Sequence, residues 1–212
     1  MDPMLYNAAM EGNTGFPLAD HLKRDEENGY QVTTKGNTVL HVAALYGHSH
    51  FVGEVLKITP ALLCHQNKKN ETALHIAANK RHTEVVHVLL GGVAAGEETP
   101  LMRMTDEKGD TALHKAVRTG CVDTVRLLVK EDPEFEFPAN NAGETPLYLA
   151  GESGSFNCLL EILESCNRPT YNGPCGRTAL HAAIIQKHMG NYFWFYTPAG
   201  CFTHQAAPGW DA

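Results

Sequence analysis

One eight-residue phrase recurs five times along this chain at nearly constant spacing. In its fullest form it reads Asn-Thr-Val-Leu-His-Val-Ala-Ala, from Asn37 to Ala44, and the threonines of successive copies are 34, 39, 34 and 33 residues apart. A unit of this size cannot bury its apolar face alone, so the period indicates a stack in which each unit packs against its neighbours. The period therefore replaces the one or two globular domains that 212 residues would otherwise favour.

Each of the first four copies of the phrase predicts a pair of helices. Thr72 can accept a backbone N–H as a helix N-cap, and the alanine-rich stretch 73–78 continues as a short first helix. After a turn at 80–82, the stretch 85–90 has apolar residues at the three- and four-residue spacing of a second helix. The predicted fold class is all-α, a repeat solenoid of helix-turn-helix units joined by hairpin-like turns.

Turn-forming residues precede four of the five threonines. They occupy 67–70, 106–109, 140–143 and 173–176, and each stretch ends in Gly or Asn. These residue types tolerate the left-handed conformation that a tight turn needs. We therefore expect the four stretches to form fingers that project from one side of the stack.

The repeat pattern predicts one domain over residues 1–190. At its start, Leu5 to Asn13 aligns with Leu40 to His48, which indicates a divergent cap unit at 4–33. A cap with a more polar outer face is expected at the end of a stack. The regular units start near residues 34, 68, 107, 141 and 174, and the last of them is incomplete.

Residues 191–212 are predicted to be a non-repeat aromatic tail. Five aromatic residues fill 192–196 without helical amphipathicity, and Pro198 and Gly200 interrupt any continuation. Two outcomes are open for the incompletely covered last unit. Its apolar side leads to self-association, or Tyr192 to Tyr196 folds back as a substitute cap.

Histidines recur three residues after four of the threonines. An imidazole at this register can hydrogen-bond the threonine and the backbone of the adjoining turn, so we expect it to tie one unit to the next. The sequence has no H-E-x-x-H pattern, phosphate loop, dinucleotide fingerprint or nucleophile elbow, so we expect no enzyme activity, metal or cofactor. The residues with this expected structural role are Thr38, His41, Thr72, His75, Thr111, His114, Thr145, Thr178 and His181.

Charge and cysteine usage exclude several classes of protein. The net charge of -7 opposes nucleic-acid binding, which needs a basic face. The six cysteines form no C-x-x-C pair, and the start, Met1 to Met4, has neither the basic flank nor the apolar run of a secretion signal. We therefore expect reduced thiols and a cytoplasmic location.

With catalytic and metal-binding motifs absent from the sequence, the remaining candidate function is binding through the surface of the stack. In such a stack the fingers and first helices line a concave face. Residues whose identity the repeat does not fix point into this face. Leu45 and Tyr46 form an amphipathic pair of the kind that anchors interfaces. The predicted partner-binding residues are Leu45, Tyr46, Lys68, Lys69, Glu71, Asn79, Lys80, Glu107, Lys108, Asp110, Arg118, Asn141, Glu144 and Glu152.

Positive charge is concentrated on the central units of this otherwise acidic chain. It favours an acidic peptide or an anionic headgroup as the ligand. A solvated face with scattered charge is the alternative. The basic residues concerned are Lys68, Lys69, Lys80, Arg81, Lys108 and Arg118.

Over residues 4–188 these motifs resemble the ankyrin repeat. Further features are similar to the plant ankyrin membrane proteins with a carboxy-terminal PGG domain, the accelerated-cell-death group. They are the stretches 2–9, 59–63, 131–135 and 172–181. The resemblance implies an array at the cytosolic face of the plasma membrane, joined to transmembrane helices and acting in stress or defence signalling.

From Gly190 onwards the sequence no longer resembles that plant group, so we expect this chain to lack the group's membrane domain. The tail is too polar and too short for a bilayer span, which takes about 20 apolar residues, so we expect no integral span in this chain. The first predicted function is a non-catalytic scaffold that binds a protein partner of unknown identity on its concave face. The alternative is a truncated form of a plasma-membrane signalling or transport regulator.

Overall fold

The computed structural model describes residues 1–22, 29–92 and 100–186, and the regular elements within these ranges are helices. Helices follow one another as five pairs and a final single helix, which confirms the predicted all-α repeat solenoid. The tail predicted at 191–212 lies outside the described ranges. The helices are α1 (Pro3–Glu11), α2 (Leu18–His21), α3 (Val39–Tyr46), α4 (Ser49–Ile58), α5 (Ala73–Lys80), α6 (Thr83–Gly91), α7 (Ala112–Arg118), α8 (Val122–Glu131), α9 (Pro146–Glu152), α10 (Phe156–Ser165) and α11 (Ala179–Ile185).

The first helix of each regular unit begins after the threonine of the repeated phrase. Thr38 and Thr72 have extended backbones, and each forms a capping box with the histidine three residues later. In α9 the Oγ1 of Thr145 accepts the N–H of Tyr148 at 3.1 Å. Because these bonds satisfy N–H groups that no helical carbonyl can reach, the threonine fixes where the helix starts.

The helices form two layers. The first helices α1, α3, α5, α7, α9 and α11 pack against one another in that order, and the second helices α4, α6, α8 and α10 form a parallel layer. Leucines two residues after each of the first four threonines have at most 1% of their surface exposed. They are Leu40, Leu74, Leu113 and Leu147.

Small residues let the first helices approach one another closely. Ala43, Ala77 and Ala116 have no exposed surface. A side chain added at Gly151 would lie 2.3 Å from the carbonyl oxygen of Ala179, so α9 and α11 pack closely at that point. Burial of such apolar surface contributes roughly 25 cal/mol per Å².

The fingers are bonded to one another through their backbones. The N–H groups of Lys68, Glu107 and Asn141 donate to the carbonyls of the preceding fingers at 3.1, 2.9 and 2.9 Å. Each finger turns through a left-handed residue, which is Asn70 in one unit and glycine in the others. The acceptor carbonyls belong to Lys35, Lys69 and Lys108.

The junction before α11 lacks this bond. Pro174 occupies the register of Lys68, Glu107 and Asn141, and proline has no N–H to donate. A side chain at Gly173 would lie 2.1 Å from the buried ring of Tyr148, so only glycine fits there. The junction is held instead by the Thr145 hydroxyl, which donates to the carbonyl of Asn172 at 2.9 Å.

Candidate protein-interaction surface

Threonine and histidine side chains brace one unit against the next. In α3, α5 and α7 the Nδ1 of the histidine accepts the backbone N–H of the capping threonine, at 3.2, 3.2 and 3.1 Å. The proton of the neutral ring is therefore on Nε2, which donates to a carbonyl at the base of the following finger. These bonds join His41 to Glu71, His75 to Asp110, and His114 to Glu144, at 2.9, 3.0 and 3.1 Å.

The bracing imidazoles are held in the neutral form. Burial lowers the pKa of His41 and of His114 to about 4, against the partial opposition of their carbonyl partners. Burial also lowers the pKa of His75. Protonation would place a positive charge in a desolvated site and remove the acceptor on Nδ1.

Two further histidines brace the turn between the helices of a unit. The Nε2 of His48 lies 2.8 Å from the Met10 carbonyl, and that of His82 lies 3.2 Å from the Leu45 carbonyl. Each ring packs against a left-handed glycine of the preceding unit. A side chain added at Gly12 would lie within 2.8 Å of the His48 ring, and one added at Gly47 would lie within 2.8 Å of the His82 ring.

The finger tips carry exposed basic side chains at a repeated register. Lys35, Lys69 and Lys108 each lie three residues before a capping threonine, and their carbonyls accept the bonds that align adjacent fingers. Lys68 is exposed beside Lys69. Within the described ranges, none of the four lysines lies within ion-pair distance of a carboxylate. Glu107 and Asn141 are exposed on the same tips.

Sequence reasoning missed Lys35. The repeat spacing could have identified Lys35, since it precedes Thr38 by the same three residues that separate Lys69 from Thr72. The missed residue extends the row of lysines to the first regular unit.

The ends of the first helices provide the second part of the surface. Tyr46 is 43% exposed, Leu45 is half-buried, and Asn79 and Lys80 are exposed. Tyr46 hydrogen-bonds to Tyr6 of α1, and this bond raises the pKa of Tyr6. Glu152 is half-buried at the end of α9.

Asp110 lies inside the stack rather than on the surface where the sequence predicts it. Its carboxylate has no exposed area, and it accepts bonds from Asn140 Nδ2 at 2.7 Å, from Lys115 Nζ at 3.2 Å and from Arg118 Nη1. Lys115 also lies 2.6 Å from Asp106. Asp110 therefore contributes to the surface by holding the basic side chains above it.

Arg118 and Glu144 form the outer part of this network. Arg118 Nη2 donates to Glu144 Oε2 at 2.7 Å, and Asn140 Nδ2 donates to the same oxygen at 2.9 Å. Glu71 is held similarly by Asn67 Nδ2 at 3.0 Å. We call Asp106, Asp110, Lys115, Arg118, Asn140 and Glu144 the central polar network.

The electrostatics of the central polar network keep it ionised. Burial alone would raise the pKa of Asp110, but hydrogen bonds from Arg118 and Asn140 and two nearby positive charges lower it to about 2. The pKa of Lys115 is raised, since burial is outweighed by its bonds to Asp106 and Asp110. The network therefore stays charged at neutral pH and joins two neighbouring units.

Three further findings concern metal ligands, thiols and membrane spans in the part of the chain that the structure describes. No group of three or more His, Cys, Asp or Glu side chains could hold a metal ion there. The five cysteines in those ranges are free thiols. No helix in the described ranges is long and apolar enough to cross a membrane.

Comparison with known protein families identifies the family of this chain. The family model of ankyrin repeats in three copies matches residues 5–101 and 94–172. The chain belongs to the ankyrin-repeat family. The ankyrin repeat domain of Bcl-3 has the same fold, with a TM-score of 0.73 at 24% identity over 89% of this chain and 82% of that domain.

Curated relatives come from several kinds of protein. ACCELERATED CELL DEATH 6 of Arabidopsis thaliana is 34% identical over 129 residues, which is 57% of this chain and 19% of that protein. The NF-kappa-B p105 subunit of Gallus gallus is 28% identical over 87% of this chain and 19% of its own length. This ankyrin array therefore spans about a fifth of each of these two relatives.

Membership in the ankyrin family indicates how arrays of this kind are commonly used. Ankyrin arrays are commonly protein–protein interaction modules, which offer extended surfaces to partners and typically lack catalysis. The resemblance to the accelerated-cell-death group of plant ankyrin proteins is confirmed by the similarity to ACCELERATED CELL DEATH 6.

Proposed function

We propose that this array is a non-catalytic scaffold that binds an acidic segment of a protein partner along its finger tips and first-helix ends, on the concave face of the stack. One observation carries the proposal. Lys35, Lys69 and Lys108 stand at one register on consecutive tips, aligned by backbone hydrogen bonds.

The charge of the surface contrasts with that of the whole chain. The chain has a net charge of -7, whereas the tip lysines are exposed and have no carboxylate partner in the described ranges. A local positive row on an acidic protein steers acidic partners and repels basic ones. Tyr46, with its exposed ring at one end of the row, adds an amphipathic anchor.

The central polar network supports the surface from beneath. Asp110 and Glu144 hold Arg118, so its guanidinium is fixed before a partner arrives. Fixing a long side chain in advance reduces the ordering cost of binding, about 0.5–1.5 kcal/mol for each side chain immobilised. Arg118, Lys80 and the tip lysines form the basic part of the proposed binding surface.

Charge reversal tests the proposal. Immobilised wild-type array is used to capture proteins from a cell extract, and the capture is repeated with a Lys69→Glu/Lys108→Glu variant. We expect partners of the surface to be lost from the variant, with affinity reduced roughly tenfold or more for the recovered partner, about 1.4 kcal/mol. The matched control is Lys57→Glu/Lys130→Glu, which makes the same charge change on second helices α4 and α8.

Equal loss in both double variants would show that net charge, rather than this surface, governs binding. Equal retention in both would place the partner on another face. Raising the salt concentration should weaken the wild-type interaction as well, because exposed charges are screened.

The similarity to ACCELERATED CELL DEATH 6 supports a role in stress or defence signalling. In that role the array would hold a signalling partner in an assembly. Altered partner capture by the Lys69→Glu/Lys108→Glu variant, without a change in a defence-reporter response, would contradict it.

The same similarity favours a second candidate, a form of a plasma-membrane signalling or transport regulator that acts at the cytosolic face. Fractionation of tagged protein separates the two candidates. Recovery in salt-washed membranes supports the membrane candidate, and recovery in the supernatant alone supports the free scaffold.

A further inference from the structure

A cavity of about 570 Å³ lies between two neighbouring fingers, the one at 33–36 and the one at 67–70. It extends from the tips, at Gly36 and Lys68, to the segments that lead into the two fingers, at Val32 and His65. The volume falls within the range of about 300–1,000 Å³ that is typical of ligand pockets. The cavity adjoins the row of exposed lysines at Lys68.

The backbone at the tip end of this cavity is fixed. The Lys68 N–H donates to the Lys35 carbonyl at 3.1 Å. A side chain added at Gly36, which is left-handed with φ of 77°, would lie 2.9 Å from the same nitrogen. The two tips are therefore in close contact, and the cavity is formed before a partner arrives.

The residue six positions before the capping threonine accounts for the cavity. In the unit of Thr72 this residue is Gln66, whose Nε2 donates to the carbonyls of Asn70 and Thr105 at 2.7 and 3.1 Å. The Gln66 side chain thus joins its own finger to the segment that leads into the next one. Val32 occupies this position in the preceding unit, and its side chain has no donor for such a bond.

Apolar and aromatic side chains form the walls. Val32 and Ala61 line the cavity and are exposed. The rings of Tyr30 and His65 meet edge to face, with their centroids 6.1 Å apart. Burial lowers the pKa of His65, so its ring is neutral at neutral pH. Uncharged walls with aromatic edges favour an aromatic guest, which packs well in edge-to-face or offset-stacked contacts.

The charge beside the cavity is positive. Lys68 lines it, and Lys35 is on the tip that Lys68 contacts through its backbone. Within the described ranges neither lysine lies within ion-pair distance of a carboxylate. A segment that places an apolar group in the cavity and negative charge beside it therefore complements both parts.

We propose that this cavity receives an aromatic side chain of the acidic partner segment, with the neighbouring acidic residues of that segment on Lys68 and the tip lysines. The inference rests on the proposed function, because it requires the acidic segment. It adds a specificity that charge alone does not provide. Large aromatic residues dominate the energy of many interfaces when they fill a pocket.

Two synthetic peptides test the proposal with the full chain. One carries a tryptophan next to six alternating aspartates and glutamates, and the other has alanine in place of the tryptophan. Fluorescence anisotropy of the labelled peptides at low salt measures the Kd of each. We expect the wild-type chain to bind the tryptophan peptide roughly tenfold more tightly than the alanine peptide.

Filling the cavity should abolish this preference. Ala61→Trp adds an indole from the short 3-10 helix Pro60–Leu62, at an exposed position. We expect it to reduce the affinity for the tryptophan peptide to that for the alanine peptide, and to leave the alanine peptide unaffected. The matched control is Ala139→Trp, at an exposed position six residues before Thr145, which should retain the wild-type preference.

Methyl NMR spectra of the wild-type chain give a second readout that needs no variant. A tryptophan ring in the cavity changes the chemical shifts of nearby methyl groups through its ring current. The methyl signals of Val32 and Ala61 should shift on titration with the tryptophan peptide but not with the alanine peptide. The methyl signal of Ala139 should stay unchanged with both.

The outcomes separate this inference from the proposed function. Equal affinity of the two peptides, with both weakened by Lys69→Glu/Lys108→Glu, would overturn the aromatic site and leave the acidic-segment function intact. Equal loss of the preference in Ala61→Trp and Ala139→Trp, or unchanged Val32 and Ala61 signals, would also overturn the site alone. Failure of both peptides to bind would contradict the proposed function and the aromatic site together.

Discussion

At the scale of single residues, this array depends on histidines that must remain neutral. Each bracing imidazole has both ring nitrogens engaged, one with its own threonine and one with the next unit. Where Tyr148 replaces histidine, the ring instead requires Gly173, and the threonine hydroxyl reaches across to the next unit. The position three residues after the capping threonine is therefore filled either by a histidine that hydrogen-bonds the next unit or by a tyrosine that packs against its glycine.

Removing one brace should destabilise the array measurably. His75→Ala leaves the buried Asp110 carbonyl without its donor and opens a cavity, so we expect a loss of about 1–3 kcal/mol in the free energy of unfolding. Urea denaturation monitored by circular dichroism measures this loss. The control His87→Ala, at an exposed position of the adjacent α6, should change stability by less than about 0.5 kcal/mol.

At the scale of elements, periodicity predicted the helices and the bracing register, but it could not assign burial to charged residues. Glu71, Asp110 and Glu144 occupy one register, yet only the shorter Asp110 lies fully inside. Its buried charge is compensated by Lys115 and Arg118 of its own unit and by Asn140 of the next unit, and Asn140 reaches it only when the units stack. The central polar network was therefore beyond the reach of the sequence pattern.

The junction between α9 and α11 gives a prediction at this scale. Gly173→Ala should lower the Tm by several degrees, because the added carbon would collide with the ring of Tyr148. Tyr148→Ala should relieve most of the added cost when the two changes are combined. The control Gly53→Ala, in α4 with ordinary contacts at 3.7 Å, should instead stabilise the array by about 0.5–1 kcal/mol. Additive losses from Gly173→Ala and Tyr148→Ala would contradict the close approach.

At the scale of the whole molecule, the repeated brace makes stability depend on pH. The pKa values of His41 and His114 are about 4 in the folded chain and near the ordinary value of 6.5 when unfolded. Between these values the unfolded chain binds more protons, so acid favours unfolding. Stability is therefore complete above about pH 6.5 and declines towards pH 4.

For His41 and His114 the expected decline is about 1.4 kcal/mol per pH unit each, once the pH is well below 6.5. Urea denaturation at pH 7.5, 6.0 and 5.0 measures it directly. A His41→Gln/His114→Gln variant should be less stable at pH 7.5 but should lose less stability on acidification. An unchanged free energy of unfolding between pH 7.5 and 5.0 in the wild-type chain would contradict the neutral brace.

The hydrogen bonds that align the finger tips come from the backbone, so the side chains at these tips are not needed for the alignment. Any residue except proline can donate the N–H that Lys68, Glu107 and Asn141 supply, so their side chains are free to change. We therefore expect that mutation at these tips changes the proposed binding surface while the scaffold persists.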